Sequence, residues 1–107
     1  MGDTTILSVT LPDTITVIDG GAFWGCSSLE SINLPRGLLT IGNGAFAECT
    51  ALDAIVIPQS VSYIAEYAFN LSVSLTIYCE APSQPGGWHD LWNSSNLTVI
   101  WEWNGKQ

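Results

Sequence analysis

Three prolines, Pro12, Pro35 and Pro58, are evenly spaced at a period of twenty-three, and such a period constrains the chain to fold as a stack of equivalent units. The interval recurs in Ala22-Phe23, Ala45-Phe46 and Ala68-Phe69, in Leu29, Leu52 and Leu75, in Ile18, Ile41 and Ile64, and in Cys26 and Cys49. One unit reads Leu29-x-x-Ile32-x-Leu34-Pro35, a polar turn, Ile41-Gly42, and a closing Gly44-Ala45-Phe46-x-x-Cys49. Alternating apolar residues ahead of a proline predict a short strand that the proline ends, because proline has no N–H to give to a ladder. The second half of the unit is too short for a regular helix. It must return by turns, with a brief helical or 3₁₀ segment around Ala45-Phe46-Ala47. Stacked units set each strand parallel to its predecessor and in register, with Phe23, Phe46 and Phe69 as an aromatic ladder inside. The predicted fold is a repeat solenoid with a parallel β-sheet on one face and short turns or 3₁₀ segments on the other.

The interval slips after Leu75. Pro82 comes one position later than the period set by Pro58 allows, and a strict frame drops Glu80 into the buried column of Leu34 and Ile57, where a lone carboxylate is costly. Pairing Leu75-Thr76-Ile77-Tyr78-Cys79-Glu80 with Leu97-Thr98-Val99-Ile100-Trp101-Glu102, one position short of the period, removes the conflict. Leu75, Ile77 and Cys79 then face inward with Leu97, Val99 and Trp101, while Glu80 and Glu102 face solvent. Pro82 to Gly87 reads as a loop, and Trp88, Leu91 and Trp92 fall on one side of a single helical turn that covers the last coil. Residues 1–107 are thus read as one domain, with repeats over 6–80 and a Trp-rich C-terminal cap over 81–107. At the other end Ile6, Val9, Leu11 and Phe23 belong to a first coil that residues 1–5 do not cover. An apolar end of that kind predicts a homodimer through the uncapped N-terminal end.

The repeat resembles the leucine-rich repeats of the BspA-like family, whose units carry a leucine, an isoleucine, a Leu-Pro pair, an Ile-Gly and an Ala-Phe with a nearby cysteine. The match covers nearly all of residues 6–80, and the Gly87-Trp88…Trp92-Asn93 run with Val99-Ile100-Trp101 looks like the C-terminal region that closes BspA-like arrays. It differs from commoner leucine-rich repeats, which place an asparagine after the strand where this chain has proline. The resemblance implies a right-handed leucine-rich-repeat coil. It also implies a secreted or surface-attached protein of an anaerobic oral or gut bacterium that binds host or neighbouring-cell proteins, with this chain as the C-terminal end of a longer array.

Composition removes several function classes. The chain has 107 residues, long enough for one core and too short for a two-domain enzyme. Ten acidic against 2 basic residues give −8, and Arg36 and Lys106 alone cannot neutralise enough phosphate to hold nucleic acid or an anionic membrane. No apolar run approaches the ~20 residues of a membrane span, so no membrane insertion is expected. The N-terminus lacks the zones of a signal peptide, and Met1-Gly2-Asp3 reads as the start of an excised piece. Three cysteines, Cys26, Cys49 and Cys79, have neither zinc nor redox spacing, and their expected state is a reduced, buried thiol.

Candidate sites are few. His89-Asp90 with Ser94 and Ser95 offers the residue types of a hydrolytic triad without a nucleophile elbow or oxyanion hole, and Cys79 with His89 and Asp90 fits no metal-ligand spacing. No enzyme activity, cofactor or metal is therefore expected. Trp88, Trp92, Trp101 and Trp103 suit either a sugar platform or, more simply, closure of an open solenoid end. Trp24 is either an exposed contact residue or a shield for the N-terminal end. Asn70, Asn93 and Asn96 begin N-glycosylation acceptor patterns that a bacterial source would leave unused. The remaining candidate is the outward strand face, where Ser8 and Thr10, Ser31 and Asn33, Ala54 and Val56, then Thr76, Tyr78 and Glu80 stand in register. From it we take Ser31, Asn33, Val56, Thr76, Tyr78 and Glu80 as the expected binding residues for a protein ligand, since a flat, ordered face loses little entropy on docking.

Overall fold

The computed structural model describes residues 5–104, so expectations about residues 1–4 and 105–107, including Lys106 and most of the cover over the first coil, lie outside the described residues. Eight strands run in chain order: β1 (Ser8–Thr10), β2 (Val17–Ile18), β3 (Ser31–Asn33), β4 (Thr40–Ile41), β5 (Ala54–Ile57), β6 (Tyr63–Ile64), β7 (Thr76–Cys79) and β8 (Thr98–Ile100). All pairings are parallel, β1 with β3, β2 with β4 and β4 with β6, β5 with β7 and β7 with β8. The chain is a β-solenoid in which each coil lies on the one before.

The registers carry both the interval and its slip. Val9 faces Ile32 and Ile41 faces Ile64 at the full period, whereas Ile55 faces Ile77 and Ile77 faces Val99 one position short of it. Leu52 and Leu75 keep the longer spacing and are both buried, so the lost residue falls between Leu75 and Ile77, at the start of β7. The realignment predicted from Glu80 holds. Cys79 takes the inner position opposite Ile57, and Glu80 and Glu102 are exposed. Leu97, Val99 and Trp101 pack on the core while remaining partly exposed, as expected of the last layer.

Two features depart from the sequence reading. The polar turn falls at residues 36–37, but the chain beyond it is also paired: Thr40–Ile41 is a strand, and β2, β4 and β6 form a second parallel sheet with Ile18, Ile41 and Ile64 inside and Val17 and Tyr63 outside. The segment around Ala45-Phe46-Ala47 forms neither an α-helix nor a 3₁₀-helix. Its N–H groups alternate: Ala45 and Ala47 donate back three residues, to Gly42 and Gly44, while Phe46 and Glu48 donate to Ala68 and Asn70 of the next coil. Phe23 and Gly25 do the same toward Ala45 and Ala47. Half of the donors are thus spent between coils, which precludes a helix and makes the turn side a third hydrogen-bonded wall.

That wall needs the left-handed conformation at two places per coil. Gly21, Gly44 and Tyr67 occupy the first, with φ of 69, 64 and 60°. Gly25, Glu48 and Leu71 occupy the second, with φ of 71, 57 and 62°. Glycine adopts this region freely and bulky residues do not, so the third coil carries strain that the first avoids.

Inside, Phe23, Phe46 and Phe69 stack with ring centroids 5.3 and 5.6 Å apart and planes within 5 and 6° of parallel. Trp92 meets Phe69 edge-on at 6.3 Å and, with Trp88 and Trp101, closes the C-terminal end. The segment carrying them is a set of turns rather than the expected helical turn. His89 donates its backbone N–H to Ile64, and its ring Nδ1 accepts the N–H of Leu91, which rotates Leu91 outward to 43% exposure. Trp88 and Trp92 lie inside as expected, and Leu91 does not.

Candidate functional site

The six expected face residues lie on the outer side of the strand wall. Ser31, Asn33 and Glu80 are exposed, and Val56, Thr76 and Tyr78 are half-buried. Their lateral order follows from the pairings: Thr10 beside Asn33, and Val56 beside Tyr78 beside Ile100. The Asn33 amide donates to the Thr10 hydroxyl at 3.4 Å, and Tyr78 packs against Trp103 at 5.4 Å between ring centroids. One end of the face is therefore a polar ladder and the other an aromatic and aliphatic ridge. Trp103, read as part of the closing cluster, stands apart from the other cap tryptophans, and its buried Nε1 has no hydrogen-bond partner.

The face is not one sheet. β1 pairs with β3, and β5 pairs with β7 and β8, but no ladder joins β3 to β5 although the two strands are neighbours. A depression of about 160 Å³ opens along this seam, lined by Ile32, Asn33, Leu34, Arg36, Val56, Pro58 and Glu80. Three of the six predicted residues, Asn33, Val56 and Glu80, meet there, while Ser31, Thr76 and Tyr78 flank it. Glu80 reaches back across the strand ends, its Oε1 accepting the Gln59 N–H at 3.0 Å. Sequence reasoning missed Arg36 and the half-buried Leu34 as site residues. The signal available was that Arg36 is the single basic residue within the repeats, placed directly after the proline that ends a strand. A pocket with apolar walls, one guanidinium and one carboxylate can hold a side chain of a docked protein at both an apolar and a polar point.

Several polar groups of the other candidates are committed. His89 Nδ1 is held by Leu91, and the Ser94 and Ser95 hydroxyls both donate to Asn70 Oδ1, at 3.1 and 3.3 Å. Asn70 is thereby engaged, and Ser72 of the same acceptor pattern is fully buried. Cys26, Cys49 and Cys79 are free, buried thiols. Burial, and secondarily the nearby Cys26, pushes Cys49 up to about 11, and burial pushes Cys79 up to about 12, so both stay protonated and non-nucleophilic at neutral pH. The Cys49 thiol donates to the Phe23 carbonyl at 3.1 Å, and the Ser72 hydroxyl one coil on donates to the Phe46 carbonyl at 2.6 Å. The cysteine column is a structural donor column in which serine serves equally. Among the described residues no three His, Cys, Asp or Glu side chains group as metal ligands, and no helix is long and apolar enough to cross a membrane.

Trp24 does not shield the N-terminal end. Its ring lies over Gly44, where an added Cβ would come within 2.7 Å of it, and its Nε1 donates to Glu48 at 3.2 Å. The side chain leans onto the second coil and remains 39% exposed.

Short parallel strands repeating at a fixed interval, a stacked phenylalanine column and a tryptophan-closed end define a leucine-rich-repeat β-solenoid. The chain belongs to the BspA-type leucine-rich repeat family, whose sequence model matches residues 2–84 in 6 copies. Among solved structures it is similar to a leucine rich cell surface protein from Faecalibacterium prausnitzii, at 25% identity and a TM-score of 0.74, over 94% of this chain and 27% of that one. The chain thus spans about a quarter of that protein. No curated protein matches it significantly.

Proposed function

We propose that the chain is a non-catalytic, adhesion-type protein-binding module belonging to a bacterial cell-surface protein, and that it receives its partner on the strand face at the seam between β3 and β5. The observation that carries this reading is the seam depression, where Asn33, Val56 and Glu80 converge with Arg36. The cell-surface setting is supported by the family and by the Faecalibacterium protein. The face is small against the ~800 Å² per partner of a standard interface, so the isolated chain binds weakly and further coils add affinity. A panel of purified host extracellular proteins and bacterial surface proteins tests the proposal. A wild-type hit lost in both Val56→Arg and Arg36→Ala, at unchanged melting temperature, supports it. Hits indifferent to both substitutions, or no hit at all, refute it.

A structural terminator without a ligand of its own is the second reading, favoured by the closure of Trp88, Trp92 and Trp101 over Phe69. Trp88 and Trp92 are 4% exposed and donate their indole N–H groups to Val61 and Gln84, so as a sugar platform they are spent. The N-terminal end supports a homodimer, since Ile6, Val9, Leu11 and Phe23 are only partly buried there. Light scattering that shows a concentration-dependent dimer, abolished by adding a preceding repeat, bears this out; a monomer at all concentrations removes it.

A further inference from the structure

The turn side carries exposed side chains that neither the core nor the strand-face reading uses. Trp24 is 39% exposed, Tyr67 41%, Leu91 43% and Leu71 51%; other coils carry Ala47 and Asn70 at the Trp24 position, Gly21 and Gly44 at the Tyr67 position, and Gly25 and Glu48 at the Leu71 position. Backbone bonds fix their order along the solenoid. Trp24 bonds Glu48, the Glu48 N–H goes to Asn70 beside Leu71, and the Tyr67 N–H goes to Leu91. Tyr67 is also the third-coil counterpart of Gly44, on which the Trp24 ring rests. The stripe therefore runs from the first coil to the cap.

The two charged groups beside it are both carboxylates. Glu48 holds the Trp24 indole with one oxygen, and Glu66 takes the Asn43 amide with one oxygen at 3.3 Å. Each has its second oxygen left for a partner. The single lysine or arginine among the described residues is Arg36, which lines the strand-face seam, so among the described residues no lysine or arginine on the turn side balances them. Tyr67 and Leu71 moreover sit at left-handed positions that glycine holds in the first coil, so the fold tolerates strain to display bulky side chains there.

We infer that the turn side is a second docking surface, on which the rings of Trp24 and Tyr67 and the carboxylates of Glu48 and Glu66 receive an arginine- or lysine-bearing segment of a partner protein. An aromatic face flanked by carboxylates attracts a guanidinium or ammonium through the ring quadrupole and through charge, and the net charge of −8 steers such a segment inward. A neutral glycan would use the rings alone and leave the carboxylates uncompensated.

The test titrates the whole chain with a fluorescein-labelled peptide of alternating arginine and glycine, beside a glutamate–glycine peptide and a neutral cello-oligosaccharide. The expected result is saturable binding of the arginine peptide alone, with the Trp24 indole and Tyr67 amide signals shifting in NMR spectra. Trp24→Ala and Glu48→Gln each weaken it about fivefold, the equivalent of one exposed cation–π or charge contact. Glu30→Gln, which removes the same charge at an exposed position on the strand side, leaves it unchanged. Equal losses in Glu30→Gln and Glu48→Gln would reduce the effect to diffuse charge and overturn the inference. So would oligosaccharide binding that depends on Trp24, or the absence of peptide binding at low salt. Glu48→Gln keeps an oxygen for the Trp24 indole, so its result stands even where Trp24→Ala loosens the fold.

Discussion

Replacing Phe46 by alanine strikes the one phenylalanine that stacks on a like ring at both faces. Phe46 is fully buried, 5.3 Å from Phe23 and 5.6 Å from Phe69. Truncation of a buried phenylalanine costs about 3–5 kcal/mol, through lost transfer free energy and the cavity left behind. Two aromatic contacts of roughly 0.5–1.5 kcal/mol each lie within that loss and place it toward the upper end. A domain of this size melts about 4–8 °C lower per kcal/mol, so a fall of about 15 °C or more is expected, against a total stability of roughly 5–15 kcal/mol. Phe23, partly exposed and stacked on one face only, provides the internal control, and Phe23→Ala should cost about half as much. Because coils interact with nearest neighbours, the central substitution should also broaden the transition by uncoupling the two ends. Calorimetry or urea denaturation of the two variants measures this. If Phe46→Ala costs no more than Phe23→Ala, the continuous ladder is not what holds the coils together.

Gly44→Ala should destabilise by about 1–2 kcal/mol, because the left-handed φ of 64° disfavours a side chain and the new Cβ meets the Trp24 ring; Tyr67→Gly, at φ 60°, should instead raise or preserve the melting temperature. A fall in melting temperature in Tyr67→Gly as well as in Gly44→Ala defeats the strain argument. Burial raises Cys49 from 9.0 to about 11, so its share of stability is intact below pH 9 and is lost as pH climbs toward 11, where the unfolded chain has already released that proton. Urea midpoints should therefore fall less steeply across that window in Cys49→Ser than in the parent, and parallel slopes would contradict the burial. With −8 net charge, the protein should leave duplex and single-stranded DNA unretarded at physiological salt, and a gel shift at micromolar protein would count against the charge reasoning.

The solenoid, the phenylalanine ladder and the slip at β7 were legible because each is a periodic demand on side-chain type. Phe23, Phe46 and Phe69 must be alike to stack, and Glu80 betrays a lost residue because a carboxylate cannot occupy the column of Ile57. The outward direction of Asn33, Val56 and Tyr78 follows from the same alternation of period two. Other matters were settled only in the folded chain. β2, β4 and β6 span two residues each, too few for alternation to show, and they exist because a neighbouring coil supplies their hydrogen-bond partners. Leu91 turned outward because His89 Nδ1 captured its amide, a local bond that no hydrophobic pattern encodes. The seam between β3 and β5, with Arg36 and Glu80 brought to one depression, depends on how two coils lie against each other, and Trp24 reaching over Gly44 depends on the absence of a Cβ one coil away. Periodicity in sequence specifies what every coil has in common; the sites lie where neighbouring coils differ, and that difference becomes geometry only when they pack.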